Sequence, residues 1–99
     1  MMPKYKISKR AEKDLADIWR YTVNNWSREQ ADKYATGILA VMEEISKAPV
    51  SVGCTYEHVR KGYRKYQWGK HVIFHIAQND GSVFISRILH EIMDFERHL

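Results

Sequence analysis

Residues 63–90, YRKYQWGKHVIFHIAQNDGSVFISRILH, carry the clearest indication of the fold. The side chains follow a period of two in three runs within it, which are residues 63–68, 71–77 and 82–90. A period of two is typical of β-strands. Asp80-Gly81 stands between the last two runs, and Asp-Gly between alternating segments is a strong hairpin signal. The stretch predicts three consecutive antiparallel strands.

The hairpin at Asp80-Gly81 also predicts which residues face each other across its two strands. The expected pairs are His71 with His90, Val72 with Leu89, Phe74 with Arg87, and Ile76 with Ile85. One sheet face would then collect Val72, Phe74, Ile76, Val83, Ile85, Arg87 and Leu89. The opposite face is apolar in its middle too, and two helices cover only one face of a small sheet. We therefore expect the other face to be covered partly by the tail, residues 91–99, and otherwise by a protein partner.

The residues before this sheet predict a strand and a helical hairpin. Residues 4–8, KYKIS, alternate like a short strand. Apolar residues recur at helical spacing over residues 11–26 and 31–45. Both tryptophans of the first segment are predicted to lie in the core. Ser8 and Ser27 stand where helix N-caps are expected. The predicted fold is α+β, in the order β-α-α-β-β-β, with a helical hairpin packed on one face of a small antiparallel sheet.

Composition limits the class of protein. The 99 residues, 44% hydrophobic and 28% charged, predict a single globular domain over residues 1–99. The lone Cys54 excludes an intramolecular disulfide framework and is typical of a reducing compartment. The first residues are basic without the apolar core of a signal peptide, and no apolar run approaches the ~20 residues of a membrane helix. We expect a cytoplasmic protein with no membrane partner.

Positive charge is concentrated in two parts of a chain whose net charge is +4. One cluster lies in residues 4–13, and the other, in residues 60–70, is interleaved with two tyrosines and a tryptophan. Cations among aromatic rings are typical of a nucleic-acid surface. They also occur on a solvated sheet edge, where they discourage strand pairing, and on surfaces that bind an acidic protein. The pattern leaves these three interpretations open.

Metal-binding and catalytic patterns are weak. His71 and His75 share a strand face, but that spacing separates them by about 13 Å, too far for one metal ion. Cys54 lacks an orienting group, and no glycine-rich loop would hold a phosphate. We therefore predict no metal and no cofactor. The strongest enzymatic candidate is general acid–base cleavage of RNA. The candidate residues for this chemistry are Arg64, His71, Arg87 and His90.

Four segments resemble ParE-type toxins of the RelE/ParE superfamily, from bacterial toxin–antitoxin modules. They are YKISKRAEKDLADIWRYT (5–22), WSREQADKYATGI (26–38), GYRKYQWGKHVIFHI (62–76) and ISRILHEIMD (85–94). The resemblance implies the toxin of a type II system, neutralised in a hetero-oligomeric complex by a cognate ParD-like antitoxin with an acidic C-terminal segment. It further implies a non-catalytic protein that inhibits DNA gyrase by stabilising its cleaved DNA complex.

The superfamily also contains ribosome-dependent mRNA endonucleases of the RelE and YoeB types, and this is the alternative function. One such group has a catalytic arginine directly after the residue matching His71 and a catalytic histidine directly before the one matching His90. Here those positions hold Val72 and Leu89, an expected cross-strand pair. The departure favours protein docking over hydrolysis. A third interpretation is a binding module that has lost its toxicity.

The resemblance and the sheet pattern together predict two sets of binding residues. Arg87 is a cation in an apolar sheet face, and a charge buried at an interface must be paired, so we expect a partner carboxylate there. The antitoxin is expected to contact Arg64, Val72, Phe74, Ile76, Ile85, Arg87 and Leu89. The target is expected to contact Arg60, Lys61, Tyr66, Trp68, His90 and Asp94.

Overall fold

The computed structural model describes residues 5–48, 53–57 and 61–99. Over these residues, two long helices pack against one face of a five-stranded sheet with the strand order β1-β5-β4-β3-β2. The elements are β1 (Tyr5–Ile7), α1 (Lys9–Asn25), α2 (Arg28–Lys47), β2 (Cys54–Thr55), β3 (Tyr63–Trp68), β4 (His71–Ala77), β5 (Val83–His90) and α3 (Phe95–His98). The predicted α+β architecture is confirmed, and the short elements β2 and α3 are additions to it.

The sheet is mixed, whereas the sequence predicted an antiparallel one. Strand β1 pairs parallel with β5, and the other strand pairs are antiparallel. Alternation within a three-residue strand indicates its conformation but not the direction of its neighbour. Because β1 pairs only with residues 83–85, the later residues of β5 form an open sheet edge beside α1.

Both predicted N-caps are present, since the hydroxyls of Ser8 and Ser27 each accept the backbone N–H three residues later. The prediction that Trp26 lies in the core is wrong, because α1 ends at Asn25 and the indole is 75% exposed. Trp19 is half-buried between the two helices, where its Nε1 donates to an aspartate of α2. Helical spacing is informative only as far as the helix extends.

The predicted hairpin register holds for three pairs and then changes. The pairs His71–His90, Val72–Leu89 and Phe74–Arg87 are confirmed. His75 then pairs with Ile85, which leaves Ser86 as an extra residue in β5, so the predicted pair of Ile76 with Ile85 is wrong. An extra residue inverts the alternation of the strand beyond it. Val83 and Ile85 consequently lie in the core beneath the helices, not on the opposite sheet face.

Both sheet faces are covered. Beneath the helices the core includes Ile38, Met42, Ile45, Ile73, Val83, Ile85 and Ile88. On the opposite face Val72, Phe74 and Leu89 form a second cluster, packed against Tyr56, Phe95 and Leu99. The tail therefore covers this second cluster, as expected, and it does so together with Tyr56, so no protein partner is needed to bury these three residues. None of the helices in the described residues is long and apolar enough to cross a membrane.

Candidate functional site

Four of the residues predicted to bind the antitoxin are buried. Val72, Phe74 and Leu89 are 4%, 0% and 1% exposed beneath the C-terminal residues, and Ile85 is fully buried beneath the helices. Their apolar side chains contribute to the two cores of the chain itself. The expected tail and an unexpected bulge place these side chains within the chain's own packing, and their contact with an antitoxin stays a prediction.

Two further members of that set are half-buried. Arg64, on β3, donates from Nη2 to the carbonyl oxygen of Gly53. Ile76, on β4, lies on the sheet face away from the helices, beside Gly62. Neither residue has its side chain fully presented to solvent, and their contact with an antitoxin stays a prediction.

Arg87 is paired within the chain. Its Nε and Nη2 donate to the two carboxylate oxygens of Asp14, on α1, at 2.8 and 3.0 Å. Its Nη1 donates to the carbonyl oxygen of His98 at 2.9 Å. The two charged side chains are only 15% and 13% exposed, and the hydrogen bonds that Arg87 donates to Asp14 raise the pKa of Arg87. The carboxylate that we expected from a partner comes from Asp14, so the argument for an antitoxin contact at Arg87 no longer holds.

Asp14 also protects the open edge of β5. Its Oδ2 accepts the backbone N–H of Ile88 at 3.0 Å, beyond the point where β1 ends. One carboxylate therefore neutralises Arg87, satisfies a strand-edge donor and links α1 to β5. Through Arg87, the same group is joined to the C-terminal helix.

The residues predicted to bind the target differ in their exposure to solvent. Tyr66 and Trp68 are half-buried and pack against the core beneath the helices, with Trp68 directly over Gly37. Lys61 and Asp94 are exposed and lie far apart in the sequence, one just before β3 and the other just before α3. His90 lies in the groove described next, and Arg60 is outside the described residues.

A groove of about 980 Å³ lies between the end of the helical hairpin and the last residues of β5. We call it the hairpin groove. Its exposed apolar side chains are Tyr21 and Trp26 on the helical side and Ile92 and Met93 on the other. Its remaining lining residues include Asp14, Asp17, Ile18, Gln30, Tyr34, Lys70, His71, Arg87, Ile88, His90 and Glu91.

Two histidines lie in the hairpin groove with their rings edge to face, 5.2 Å between centroids. The Lys70 N–H donates to the Tyr34 hydroxyl, which is 2.7 Å from Nδ1 of His71. Burial, reinforced by His90, lowers the pKa of His71 from 6.5 to about 4. A neutral His71 can accept the Tyr34 proton, which leaves its own proton on Nε2. Nδ1 of His90 accepts the N–H of Ile92.

The polar side chains of this arrangement are largely engaged within the chain. All three guanidinium nitrogens of Arg87 donate to Asp14 and His98. His71 is neutral near pH 7 and held by Tyr34. Within the described ranges, no three histidine, cysteine, aspartate or glutamate side chains are grouped so as to hold a metal ion. The groove is suited to contact through apolar side chains.

Sequence reasoning missed the hairpin groove. The sequence predicts Trp26 to be buried on the helical stripe. It predicts that Ile92 and Met93 belong to the tail that covers the sheet. A signal was present: Trp26 directly precedes the Ser27 cap, so it lies at the turn between helices. A large apolar residue at such a turn is a candidate for exposure.

Comparison with known proteins identifies the family. Residues 5–95 match the family model described as the ParE toxin of the type II toxin–antitoxin system parDE. The chain belongs to the ParE toxin family. It is 40% identical over 98 residues to Toxin ParE1 of Caulobacter vibrioides, with 99% of each chain covered. It is 30% identical to Toxin ParE1 of Mycobacterium tuberculosis, over the full length of both.

A solved structure supports the fold of this ParE toxin. A chain described as part of the chromosomal ParDE TA system from P. aeruginosa superposes with a TM-score of 0.77 at 20% sequence identity. The match covers 90% of this chain and 96% of that one. At this identity the likeness speaks for the RelE/ParE fold, and the family assignment rests on the sequence matches. The protein is thus a ParE toxin of a type II toxin–antitoxin system.

Proposed function

We propose that this toxin acts without catalysis in the cytoplasm, inhibits DNA gyrase by stabilising its cleaved DNA complex, and is neutralised by direct binding of a cognate ParD-like antitoxin. Gyrase is the target that the family resemblance implies. The proposal separates two activities, inhibition of a target and release by an antitoxin. Each has its own measurement.

The burial of Val72 and Leu89 carries the non-catalytic part of the proposal. These residues occupy the positions at which the related nucleases have catalytic side chains. Both are apolar, lie opposite each other in the hairpin and are at most 4% exposed. A group that transfers protons must reach the substrate within hydrogen-bond distance. Neither the chemistry nor the position of this pair meets that requirement.

The polar residues of the hairpin groove support the same conclusion. RNA cleavage needs cations that are free to neutralise a phosphate and a titratable group near neutral pH. Arg87 is already neutralised by Asp14, and the pKa of His71 is about 4. Asp17 and Glu91 add negative charge to the same groove. With Arg87 and Asp17 both paired, the groove does not concentrate the positive charge that the alternative function requires.

Binding to an acidic antitoxin is supported by charge. The chain carries sixteen Lys and Arg against twelve Asp and Glu, a net charge of +4. Complementary net charge accelerates association and favours partners of opposite sign. We expect the antitoxin to hold the toxin in a hetero-oligomeric complex.

The deciding experiment is gyrase-catalysed supercoiling of plasmid DNA with purified toxin. We expect lost supercoiling and accumulated linear DNA, both reversed by adding the antitoxin encoded with the toxin. Heat-denatured toxin and the preformed toxin–antitoxin complex serve as matched controls. Unaffected gyrase at saturating folded toxin would refute the proposed target.

The endonuclease alternative has a separate test, translating ribosomes with a defined mRNA. Toxin-dependent cleavage that falls by about 100-fold or more in His71→Ala, with antitoxin binding retained, would establish a hydrolytic site. We expect no cleavage with either the wild-type toxin or this variant.

A further inference from the structure

We propose that the solvent face of α1 is a contact surface for the phosphate backbone of duplex DNA. We call it the basic face, and it consists of Lys9, Arg10, Lys13 and Arg20. The inference goes beyond inhibition of gyrase, because it gives the toxin an affinity for DNA of its own. None of the four residues lines the hairpin groove, so the basic face is a separate surface.

The charge on α1 differs from the charge on its neighbour α2. The exposed residues of α1 include four cations against two carboxylates, Glu12 and Asp17. Those of α2 include three cations against four carboxylates. The third carboxylate of α1, Asp14, is neutralised by Arg87. Glu12 lies seven residues before Trp19, on the side of α1 that is turned to α2. Positive charge is therefore concentrated on one helix of the hairpin.

Three of these cations lie on one line along the helix. Lys13 follows Lys9 by four residues and Arg20 follows Lys13 by seven, and both spacings place side chains on the same side of an α-helix. At about 1.5 Å per residue the line is about 16 Å long, enough to follow about five phosphates of one DNA strand. Asp17 pairs with both Lys13 and Arg20, but these two side chains remain 81% and 67% exposed. One carboxylate cannot neutralise both cations.

The position of the cations is unfavourable for the helix itself. Lys9 and Arg10 stand in the first turn of α1, and its last turn contains no basic residue. Cations near a helix N-terminus oppose the helix dipole, whereas cations in the last turn complement it, as Lys47 does in α2. In the part of the chain that the structure describes, no carboxylate lies within ion-pair distance of Lys9 or Arg10. Charges that break a local rule without a compensating contact indicate a functional surface, here one for an anionic partner.

The chemistry of the basic face fits a polyanion better than a folded protein. Residues 9–20 expose no large apolar side chain, whereas protein interfaces are anchored by aromatic and other large side chains. The hydroxyl of Ser8 already accepts the Ala11 N–H at the start of α1, so contact is through the long cationic side chains. Such side chains neutralise phosphates without reading bases, which is how proteins bind DNA independently of sequence. DNA is also the polyanion that gyrase holds, so this contact would concentrate the toxin at its proposed target.

The test is fluorescence anisotropy of a labelled DNA duplex titrated with full-length toxin at about 50 to 200 mM salt. We expect the logarithm of the affinity to fall with the logarithm of the salt concentration with a slope of about −3 to −4, since four cations meet phosphates. Lys9→Gln and Arg10→Gln should each reduce this slope by about 1 and weaken binding by about 3- to 10-fold. Lys33→Gln and Lys47→Gln remove the same charge from exposed positions of α2 and should change binding by less than about 2-fold.

Melting temperatures separate DNA contact from a structural role. Because cations are unfavourable in the first turn of a helix, Lys9→Gln and Arg10→Gln should melt at the wild-type temperature or above it. The inference would be overturned if the wild type did not bind DNA at about 50 mM salt and about 100 μM toxin, or if these variants lost no more affinity than the α2 controls. Variants that bind DNA normally but lose affinity for the antitoxin would assign the basic face to an acidic protein and refute the inference too. Toxin that binds DNA through the basic face but leaves gyrase unaffected would support the inference and refute the proposed target.

Discussion

Asp14 is predicted to be one of the most sensitive polar positions, because one carboxylate satisfies three donors. It accepts two hydrogen bonds from Arg87 and one from the Ile88 N–H, at 2.8 to 3.0 Å, and its side chain is 13% exposed. Removing one partner of a buried ion pair costs about 3–5 kcal/mol, and a buried unsatisfied N–H costs about 1–3 kcal/mol. In the Asp14→Ala variant, Arg87 would keep its hydrogen bond to His98, and its side chain, already 15% exposed, could be partly hydrated, which lowers the cost. We expect Asp14→Ala to lower the free energy of unfolding by about 2–4 kcal/mol.

Asp17 provides the matched control, since it lies one turn further along the same helix. Its carboxylate pairs with Lys13 and Arg20 at the surface and is 49% exposed. Such exposed pairs contribute about 0–1 kcal/mol, so Asp17→Ala should cost no more than that. Urea denaturation followed by tryptophan fluorescence measures both variants, with the denaturant dependence checked for constancy.

The physical explanation can be refuted in two ways. If Asp14→Ala costs no more than Asp17→Ala, the ion pair does not stabilise the fold. A double-mutant cycle tests the pairing itself: in an Arg87→Met background the cost of Asp14→Ala should fall by about 1 kcal/mol or more. Strict additivity would show that the two side chains stabilise the protein independently.

Two further predictions concern the free energy of unfolding, and a third concerns self-association. His75 is fully buried, neither ring nitrogen has a hydrogen-bond partner, and burial lowers its pKa from 6.5 to about 4. The unfolded chain therefore binds the proton more tightly, so the free energy of unfolding should fall by about 2–3 kcal/mol as pH drops from about 6.5 towards 4. His75→Leu should remove this part of the pH dependence and stabilise the protein near pH 7 by about 1 kcal/mol. The prediction would be contradicted if urea titrations at both pH values showed the same fall in the free energy of unfolding for His75→Leu as for the wild type. Gly37→Ala should destabilise by about 1–3 kcal/mol despite its better helix propensity, because a Cβ would come within 2.3 Å of the Trp68 ring; a raised melting temperature would show that the ring moves freely. Phe95→Ser should uncover the second apolar cluster and increase both dye binding and self-association in light scattering, whereas a monomer as soluble as the wild type would show that the C-terminal residues are not needed as a cover.

The pairing of Arg87 with Asp14 shows why sequence reasoning expected a partner carboxylate where the chain supplies its own. A charge inside an apolar strand must be paired, and that requirement was inferred correctly from sequence. Its partner is 73 positions away along the chain, on a different element. Local patterns cannot distinguish a carboxylate of the same chain from one of a partner. The same limit applies to Phe74, which is covered by Phe95 and not by an antitoxin.

Local sequence patterns are sufficient to predict the elements and most of their order. Alternation in residues 63–90 set the three-stranded part of the sheet, Ser8 and Ser27 set the helix starts, and Asp80-Gly81 set the hairpin register for its first pairs. These features depend on backbone conformation and on neighbours a few residues apart, so local chemistry is sufficient.

Which surfaces remain available depends on tertiary contacts. The bulge at Ser86 moved Ile85 into the core, the C-terminal residues covered the second sheet face, and the end of α1 left Trp26 exposed beside Ile92. Each outcome depends on contacts between residues far apart in the chain, and one extra residue in a strand reverses the face of every side chain beyond it. Binding surfaces are what remains after the chain has packed against itself, so they follow from the whole fold.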